Sequence, residues 1–371
     1  MERTTVVHLT SVHDPFDVRI FHKEAKTLSK SGYDVVLIAP HGRDEMLDGI
    51  RVRMVPKPLS RLGRMTRTVW QIYRASLGVD GHIYHFHDPE LIPIGILLRL
   101  SGRKVIYDVH EDVPRQILSK YWIPSWMRAQ VAKVAEICER AGALIFNGVV
   151  AATPAIARRF PAVKTVTVQN FPLPDEFASA TTPPYSGRPP TIAYVGGISA
   201  IRGIEEMVRV MSLLPTALGA RLVLAGKFDP VHLENQVSQT PGWECVEFVG
   251  WQSRKEITRL LTQVRLGLVL LHPVPEHFES FPTKLFEYMS SGIPVLASDF
   301  PLWREIVEEA RCGLLVDPLD TKAIAEAIQW VLEHPREAEE MGKSGHEAVR
   351  RKYSWVTEAQ KLKNIYYACA H

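Results

Sequence analysis

Short apolar runs alternate with amphipathic segments along almost the whole chain. The first run, TVVHLT, precedes RIFHKEAKTLSKSG, where Ile20, Phe21, Ala25 and Leu28 share one face at helical spacing and Gly32 follows as a stop. Later runs are DVVLIAP, HIYHFHD, KVIYDVH, ALIFNGV and TVTVQN, then TIAYVGG, RLVLAGK, CVEFVGW, LGLVLLH, PVLASD and GLLVD. Buried strands that alternate with helices are typical of parallel, doubly wound sheets. The pattern therefore predicts an α/β fold.

Length and composition predict two domains. The chain has 371 residues, of which 46% are hydrophobic and 23% charged, which is ordinary for a soluble globular protein with two cores. The stretch FPLPDEFASATTPPYSGRPP is rich in Pro, Ser, Thr and Ala and lacks periodicity. It predicts an interdomain linker over 173–190, between a first domain at 1–172 and a second at 191–354.

Polar residues that directly follow the predicted strands are the candidates for function. Ligands of open parallel sheets bind beyond the carboxyl ends of the strands. In the first domain these residues are His13, Asp14, His85, His87, Asp88, His110, Glu111 and Asp112. In the second they are Gly196, Gly197, Lys227, Trp251, His272, Glu279 and the loop as far as Lys284.

One stretch, HFESFPTKLFEYMSSGIPVLASD, combines two acids with a helix start. Glu279 precedes the predicted helix and Glu287 lies two turns later, so both can face one volume at the helix N-terminus. Backbone N–H groups and the helix dipole favour a phosphate there. The combination suits a nucleotide-sugar site, in which the helix holds the diphosphate and the glutamates accept hydroxyls.

This stretch resembles the Glu-x7-Glu element of retaining glycosyltransferases of family 4. The segments TIAYVGGISAIRGIEEMVRVM, RLVLAGKF, VEFVGWQSRKEITRLL and RRKYSW resemble other elements of that family in the same order. The resemblance implies the GT-B fold, with two Rossmann-like, doubly wound parallel-sheet domains that face an interdomain cleft. The first would be the acceptor side, the second the donor side, and residues 355–371 would pack back on the first domain.

The resemblance also implies roles for individual residues. His110 and Glu279 are the catalytic candidates, which would meet the transferred sugar, and Glu287 would hold the ribose. The donor-binding candidates are Gly197, Arg202, Lys227, Trp251, Phe281, Thr283, Lys284, Leu285 and Glu287. The chain departs from the family where Pro282 replaces a common glycine and where Gly197 replaces a common arginine. Lys227 or Lys284 could supply the missing positive charge.

The first loop, HLTSVHDPFDVR, is a further departure, since many family members carry a glycine pair there. It is expected to shape acceptor choice. The acceptor-side candidates are His13, Asp14, Asp17, Arg19, His87, Asp88 and Glu111. His85 and His87 point the same way on a strand, but spacing provides no third metal ligand. The resemblance implies transfer without metal, so no metal or other cofactor is expected.

Charge and cysteine usage bear on partners and location. Residues 51–74 carry seven basic residues and no acidic one, and with the aromatic residues of 115–133 they suit an anionic membrane surface. No known binding motif accompanies the charge, so nucleic acid is not an expected partner. Four scattered cysteines indicate a reducing compartment, and the N-terminus shows no apolar signal region. The expected location is the cytoplasm, with peripheral contact at the inner face of the membrane.

The predicted activity is retaining transfer of a sugar from a nucleotide-sugar to a lipid-linked or polysaccharide acceptor in cell-surface glycan or lipopolysaccharide biosynthesis. UDP-sugars are the first choice of donor and GDP-sugars the second. Three alternatives remain open. One is a nucleotide-sugar 2-epimerase of the same fold. Another is a dinucleotide enzyme, which the lack of GxGxxG disfavours. The third is a degenerate, non-catalytic subunit or scaffold, which the missing arginine and glycine pair would suit.

Overall fold

The chain divides into two compact units. The structure is a computed structural model that describes residues 3–120, 122–173, 176–177 and 183–370. One unit comprises Met1–Asn170 with Trp355–His371, and the other comprises Phe171–Ser354.

The first unit contains an eight-stranded sheet. Its strands are β1 Thr5–Leu9, β2 Asp34–Pro40, β3 Glu45–Leu47, β4 Ile50–Val55, β5 Ile83–Phe86, β6 Lys104–Val109, β7 Gly148–Ala151 and β8 Thr165–Thr167. They lie in the order β3-β4-β2-β1-β5-β6-β7-β8. All neighbours are parallel except β3 and β4. Chain order reverses between β1 and β5, so the loops that follow these two strands flank the switch point where such sheets bind ligands.

Helices cover this sheet. The α-helices are α1 Lys26–Lys30, α2 Arg61–Gly63, α3 Val69–Leu77, α4 Ile92–Leu100, α5 Val113–Ser119, α6 Ser125–Ile145 and α7 Pro154–Ala157. The segments Val18–Ala25 and Arg64–Thr68 are wound as π-helix, and Pro89–Leu91 and Ala162–Lys164 as 3-10 helix. The first predicted helix is therefore Val18–Ala25 continued by α1, and its four predicted inward residues are fully buried.

The second unit contains a six-stranded, fully parallel sheet. Its strands are β9 Thr191–Val195, β10 Arg221–Ala225, β11 Val246–Gly250, β12 Leu266–Val269, β13 Val295–Ser298 and β14 Gly313–Val316. The order is β11-β10-β9-β12-β13-β14. This is the Rossmann order, with its switch point between β9 and β12. Two parallel α/β domains confirm the predicted fold class.

The helices of the second unit occupy both faces of its sheet. They are α8 Ile204–Met211, α9 Leu233–Val237, α10 Arg254–Leu261, α11 Thr283–Ser290, α12 Pro301–Ala310, α13 Thr321–Glu333 and α14 Pro335–Arg351. Short 3-10 turns span Tyr185–Gly187, Ala200–Arg202, Thr216–Leu218 and Trp243–Cys245. Helix α11 follows the long loop that leaves the carboxyl end of β12. Its N-terminus therefore lies at the edge of the sheet where the switch point between β9 and β12 is located.

The last helix, α15 Trp355–Ala370, belongs to the first unit. The indole nitrogen of Trp355 donates to the Thr27 hydroxyl at 2.9 Å. The Glu358 carboxylate accepts from the backbone N–H of Gln169 at 2.8 Å. The chain thus leaves the first unit after β8 and returns to it after α14.

The described residues of the proline-rich stretch 171–190, which contains the predicted linker, pack in the second unit. Phe171, Phe177 and Tyr185 are buried in its cores, and the Tyr185 hydroxyl donates to the backbone oxygen of Arg265 at 2.7 Å. The linker prediction was based on the prolines and serines of this stretch. In the structure, three aromatic side chains pack into the cores and determine the position of the stretch. Residues 174–175 and 178–182 lie outside the described residues.

In the part of the chain that the structure describes, no helix combines the length and the apolar character needed to span a bilayer.

Candidate functional site

The N-terminus of α11 has no side-chain cap. Pro282 occupies the capping position and makes no side-chain hydrogen bond. The amide of Leu285 donates to the Pro282 oxygen at 3.0 Å, so the predicted contact of Leu285 with a phosphate is not supported. Thr283 and Lys284 form the start of the first turn. An uncapped helix start presents backbone donors and the positive end of the helix dipole to an anion.

Lys284 is a buried amine beside this helix start. Its side chain is 8% exposed, and its Nζ lies 3.4 Å from the ring centroid of Tyr194. Nζ makes no hydrogen bond within the described residues. Burial lowers the pKa of Lys284 well below its usual value, the charge of Arg202 lowers it further, and Glu287 opposes the shift. A buried amine with unmade hydrogen bonds is unfavourable until an anion joins it.

The loop after β9 is held close to this amine. A Cβ added at Gly196 would lie 3.5 Å from Lys284 Nζ. The Tyr194 hydroxyl donates to the Gly197 oxygen at 2.6 Å, and Arg202 Nη1 donates to the same oxygen at 3.3 Å. Gly196 has a φ of +120°, a conformation that favours glycine. Gly197, Arg202 and Lys284, all predicted donor-site residues, are thus brought together.

Glu287 is held by an arginine that the sequence reasoning missed. Arg254 Nη1 donates to Glu287 Oε1 at 2.7 Å, and Arg254 Nε donates to Glu176 Oε1 at 2.9 Å. The two carboxylates therefore share one guanidinium. Arg254 starts α10, three residues after Trp251, but nothing in its spacing identifies a partner 33 residues away.

The remaining donor-side candidates are more dispersed. Lys227 and Trp251 are exposed, and Lys227 Nζ lies 5.8 Å from the Trp251 ring centroid, a cation–π contact. The ring of Phe281 packs against Phe171 and Phe286, at centroid distances of 6.4 and 6.3 Å. Phe281 is thus largely committed to the core. Glu279 is half-buried in the loop that leads to α11.

In the first unit, His110 lies at the carboxyl end of β6 above a buried acid. Its Nε2 is 3.0 Å from Asp108 Oδ2 and 3.1 Å from His87 Nδ1. His110 is half-buried, whereas Asp108 and His87 are buried. Burial lowers the pKa of His87 to about 4, and the nearby His110 acts in the same direction, whereas Asp108 acts against the shift. The His87 imidazole is therefore neutral near pH 7.

The first loop is anchored by Asp88 from the neighbouring strand. Its Oδ2 accepts from the Thr10 hydroxyl at 2.8 Å and from the Ser11 amide at 2.6 Å. Burial lowers the pKa of His13, but the hydrogen bond to Asp17 and the charge of Asp88 outweigh it and raise the pKa to about 9. His13 is therefore a cation at neutral pH in the loop where the family often has two glycines.

Other acceptor-side predictions require correction. Arg19 is 4% exposed and donates to both oxygens of Asp108, at 2.8 and 3.0 Å, and to the Val168 oxygen at 2.8 Å. A guanidinium with these hydrogen bonds has a structural role and is not available to contact an acceptor. The same correction applies to His87, which is also buried. Asp17 caps the first helix by accepting from two backbone amides, those of residues 19 and 20.

Two further candidates lie on the surface. Asp14 is exposed and accepts from the Phe16 amide at 2.9 Å, so it forms a local turn. Glu111 is exposed and accepts from the Gln116 side-chain amide at 2.6 Å. Both carboxylates remain accessible to a ligand.

Comparison with known families decides the class of the protein. Residues 182–348 match the family described as "Glycosyl transferases group 1", and residues 18–171 match the "Glycosyl transferase 4-like domain". The chain belongs to the GT-B glycosyltransferases of this group 1, family-4 type. The predicted family is confirmed.

Individual relatives of this glycosyltransferase are distant. A phosphatidyl-myo-inositol mannosyltransferase of Mycobacterium leprae is 23% identical over 368 residues, which cover 93% of this chain and 91% of the relative. The chain spans 44% and 43% of the length of other curated relatives that it matches.

Solved structures of the same fold cover nearly the whole glycosyltransferase. Sucrose-phosphate synthase of Thermosynechococcus elongatus aligns with a TM-score of 0.75 and 21% identity, covering 98% of each chain. Anabaena HepE in complex with UDP-glucose aligns with a TM-score of 0.74 and 15% identity, covering 99% of this chain and 100% of HepE. At such identities the likeness shows the fold alone.

Proposed function

We propose that this glycosyltransferase moves a sugar, with retention of configuration and without a metal, from a UDP-sugar to a lipid-linked or polysaccharide acceptor in cell-surface glycan biosynthesis. The observation that carries the proposal is the uncapped start of α11 beside the buried amine of Lys284, which makes no hydrogen bond to any described residue. The structural relative HepE in complex with UDP-glucose supports a UDP-sugar as donor. The relative named phosphatidyl-myo-inositol mannosyltransferase supports a lipid-linked acceptor.

The donor diphosphate would lie at the start of α11. The amides of Thr283 and Lys284, the Lys284 amine and the Arg202 guanidinium would bind its oxygens. Fixed cations and amides stabilise the charge that develops on a leaving diphosphate, so this arrangement needs no metal. Glu287, oriented by Arg254, would accept the ribose hydroxyls, and the base would lie near Trp251.

The transferred sugar would be positioned by Glu279. As the bond from the anomeric carbon to the diphosphate breaks, His110 would support the oxocarbenium-like sugar. The acceptor hydroxyl would attack the same face, and its proton would pass to the departing diphosphate. Retention follows because the new bond forms on the face that the diphosphate leaves.

Ligand-induced stabilisation tests the donor. We expect one nucleotide class, UDP-sugars first, to raise the melting temperature equally with and without EDTA. A ligand at 100 times its Kd stabilises a fold by about 2.7 kcal/mol, which a thermal-shift panel of UDP-, GDP-, ADP- and dTDP-sugars detects. No shift with any of them contradicts the proposal and favours a scaffold. Release of an epimerised free nucleotide-sugar favours the 2-epimerase.

Glu279→Ala is the matched variant for this experiment. It should keep the melting temperature and the donor-induced shift of the parent protein, because Glu287 and Lys284 are intact. It should lose turnover by roughly 10²-fold or more, measured as UDP release with and without acceptor. Unchanged turnover would remove Glu279 from the site.

A basic and aromatic surface on the first unit is proposed as the membrane contact. It comprises the exposed residues Leu59, Leu62, Trp70 and Trp126, together with Arg61, whose guanidinium lies 4.6 Å from the ring centroid of Trp122. That contact brings 51–74 and 115–133 onto one surface. Exposed tryptophans beside basic residues suit an anionic lipid interface, and this supports the proposed location at the cytoplasmic face of the membrane.

Vesicle sedimentation tests this contact. The protein is expected to sediment with phosphatidylglycerol vesicles and much less with phosphatidylcholine vesicles, because basic side chains add attraction to an anionic surface. The double variant Leu62→Ser/Trp126→Ser should reduce sedimentation roughly tenfold, since each exposed apolar side chain contributes free energy of transfer. Val231→Ser, an exposed apolar residue of the second unit, is the control. Equal sedimentation of all three proteins contradicts the proposed surface.

A further inference from the structure

His110 stands on a cluster of buried polar residues that the proposed reaction does not use. The cluster consists of His8, Arg19, Glu24, His85, His87 and Asp108, each with at most 4% of its side chain exposed. It extends from β1, the first helix, β5 and β6. Burying this many polar groups is costly unless they are hydrogen-bonded, so the cluster requires an explanation.

Asp108 is the centre of this cluster. Arg19 donates to its Oδ1 at 2.8 Å and to its Oδ2 at 3.0 Å, a bidentate pair that fixes the carboxylate plane. On the other side, Oδ2 lies 3.0 Å from His110 Nε2 and 3.2 Å from His87 Nδ1. His87 Nε2 is in turn 2.9 Å from His8 Nδ1. The contacts with Arg19, His110 and His87 together fix the orientation of the Asp108 carboxylate.

The carboxylate also decides which nitrogen of His110 carries the proton. An ionised carboxylate only accepts, so the nitrogen that faces it must be an N–H. Burial raises the pKa of Asp108, but Arg19 and His110 outweigh it and hold that pKa well below its usual range. Nε2 of His110 is therefore an N–H whose proton points at Asp108.

We propose that Asp108 is a positioning residue, which holds the His110 ring and selects its Nε2–H tautomer, with His87 as a second support for the ring. The inference rests on the proposed function, in which His110 faces the sugar. The effect is on turnover rather than donor binding, because the donor nucleotide is bound by residues of the second unit.

A metal ion is the competing explanation for the same atoms. His87 Nδ1, Asp108 Oδ2 and His110 Nε2 lie 3.0 to 3.2 Å from one another and could act as two imidazole ligands and one carboxylate ligand. Arg19, however, already binds both oxygens of Asp108 and supplies their counter-charge. A divalent ion there would lie close to a buried guanidinium, so the hydrogen-bonded arrangement is favoured.

The first arm of the test reads the tautomer in the unmodified protein. The chain has 14 histidines, and the His110 signals in a spectrum of protein with ¹⁵N-labelled histidine are identified by their loss in His110→Gln. The proposal expects a ring whose Nε2 carries a proton. A ring whose Nε2 carries no proton overturns it. This readout needs no substrate, so it remains valid if the donor is another nucleotide-sugar.

The second arm measures kinetics of Asp108→Asn, which keeps the size of the side chain and removes its charge. We expect kcat to fall by roughly 10²-fold or more while KM for the donor stays within about threefold. His87→Asn, whose amide nitrogen can replace Nδ1, should have a much smaller effect. An unchanged kcat, or a loss confined to KM, overturns the proposal.

Two controls separate positioning from general damage and from metal binding. Glu139→Gln alters another buried carboxylate, which accepts from the Tyr107 hydroxyl at 2.8 Å, and it should leave kcat unchanged. If it lowers kcat as much as Asp108→Asn does, the effect is unspecific and the proposal fails. Elemental analysis of the purified protein should find no stoichiometric metal. One metal ion per chain that His87→Asn removes would overturn the proposal in favour of a metal site.

Discussion

Replacement of Lys284 by methionine is expected to stabilise the ligand-free protein and to slow sugar transfer severely. Methionine preserves much of the side-chain shape and removes a buried amine that has no hydrogen-bond partner in the described part of the chain. Relief of such a group is worth about 1–3 kcal/mol in the free energy of unfolding. Turnover should fall roughly 10²–10³-fold, because one fixed donor to the leaving diphosphate is lost. Thermal unfolding and UDP release measure the two effects.

The stabilisation should also depend on pH. The pKa of Lys284 is lowered in the folded protein, so the folded state binds fewer protons than the unfolded state and its stability rises with pH. The advantage of the methionine variant should therefore shrink as the pH approaches 10.5, the ordinary lysine value. Lys227→Met, at an exposed position, is the control and should leave stability unchanged. A less stable but fully active Lys284→Met protein would contradict the proposed donor site.

Replacement of Arg19 by methionine is expected to lower the free energy of unfolding more than any other substitution predicted for this protein. It leaves the ionised Asp108 buried without its counter-ion. It also removes the positive charge beside Glu24, whose Oε1 lies 3.0 Å from Arg19 Nε and whose pKa burial raises well above its usual value. Removing one partner of a buried ion pair costs about 3–5 kcal/mol in the free energy of unfolding, which urea denaturation measures. Although burial raises it, the pKa of Asp108 is held well below its usual range by Arg19 in the parent protein, so the loss should diminish at acidic pH, where Asp108 of the variant can be protonated.

Two comparisons make this result specific. Arg51→Met removes an exposed ion pair with Asp34 and should change the free energy of unfolding by less than about 1 kcal/mol. Adding Asp108→Asn to Arg19→Met should restore part of the stability, since the uncompensated charge of Asp108 is gone. A loss no larger than that of Arg51→Met would show that the buried pair is not important for folding.

The features that could be predicted from the sequence are local ones. Apolar periodicity predicted both parallel sheets, and the segment from Glu279 to Glu287 predicted a helix whose start could bind an anion. The partners of that segment could not be predicted in this way. Arg254 meets Glu287 across 33 residues, and Arg19 meets Asp108 across 89. Such pairings arise from how strands and helices stack, which spacing along the chain does not encode.

Burial was the second property that the sequence did not reveal. Arg19 lies at the start of the first helix and His87 directly follows β5, positions where polar side chains are usually exposed. Each is buried because a carboxylate from another strand, Asp108, accepts from it or lies beside it. Conversely, Phe171 and Tyr185 lie in a proline-rich stretch and are nevertheless core residues of the second unit. Residue type alone misplaces a side chain when its partner is distant in sequence.

The return of α15 to the first unit has a consequence for the order of events during synthesis. All residues of the second unit, 171–354, leave the ribosome before those of α15. Until α15 is synthesised, the sheet of the first unit lacks its last helix. The imidazole of His85 then lacks the Tyr366 hydroxyl that lies 2.6 Å away in the finished fold. Domains generally fold as units during translation. The domain synthesised second can therefore be complete while the domain synthesised first is still missing its final helix.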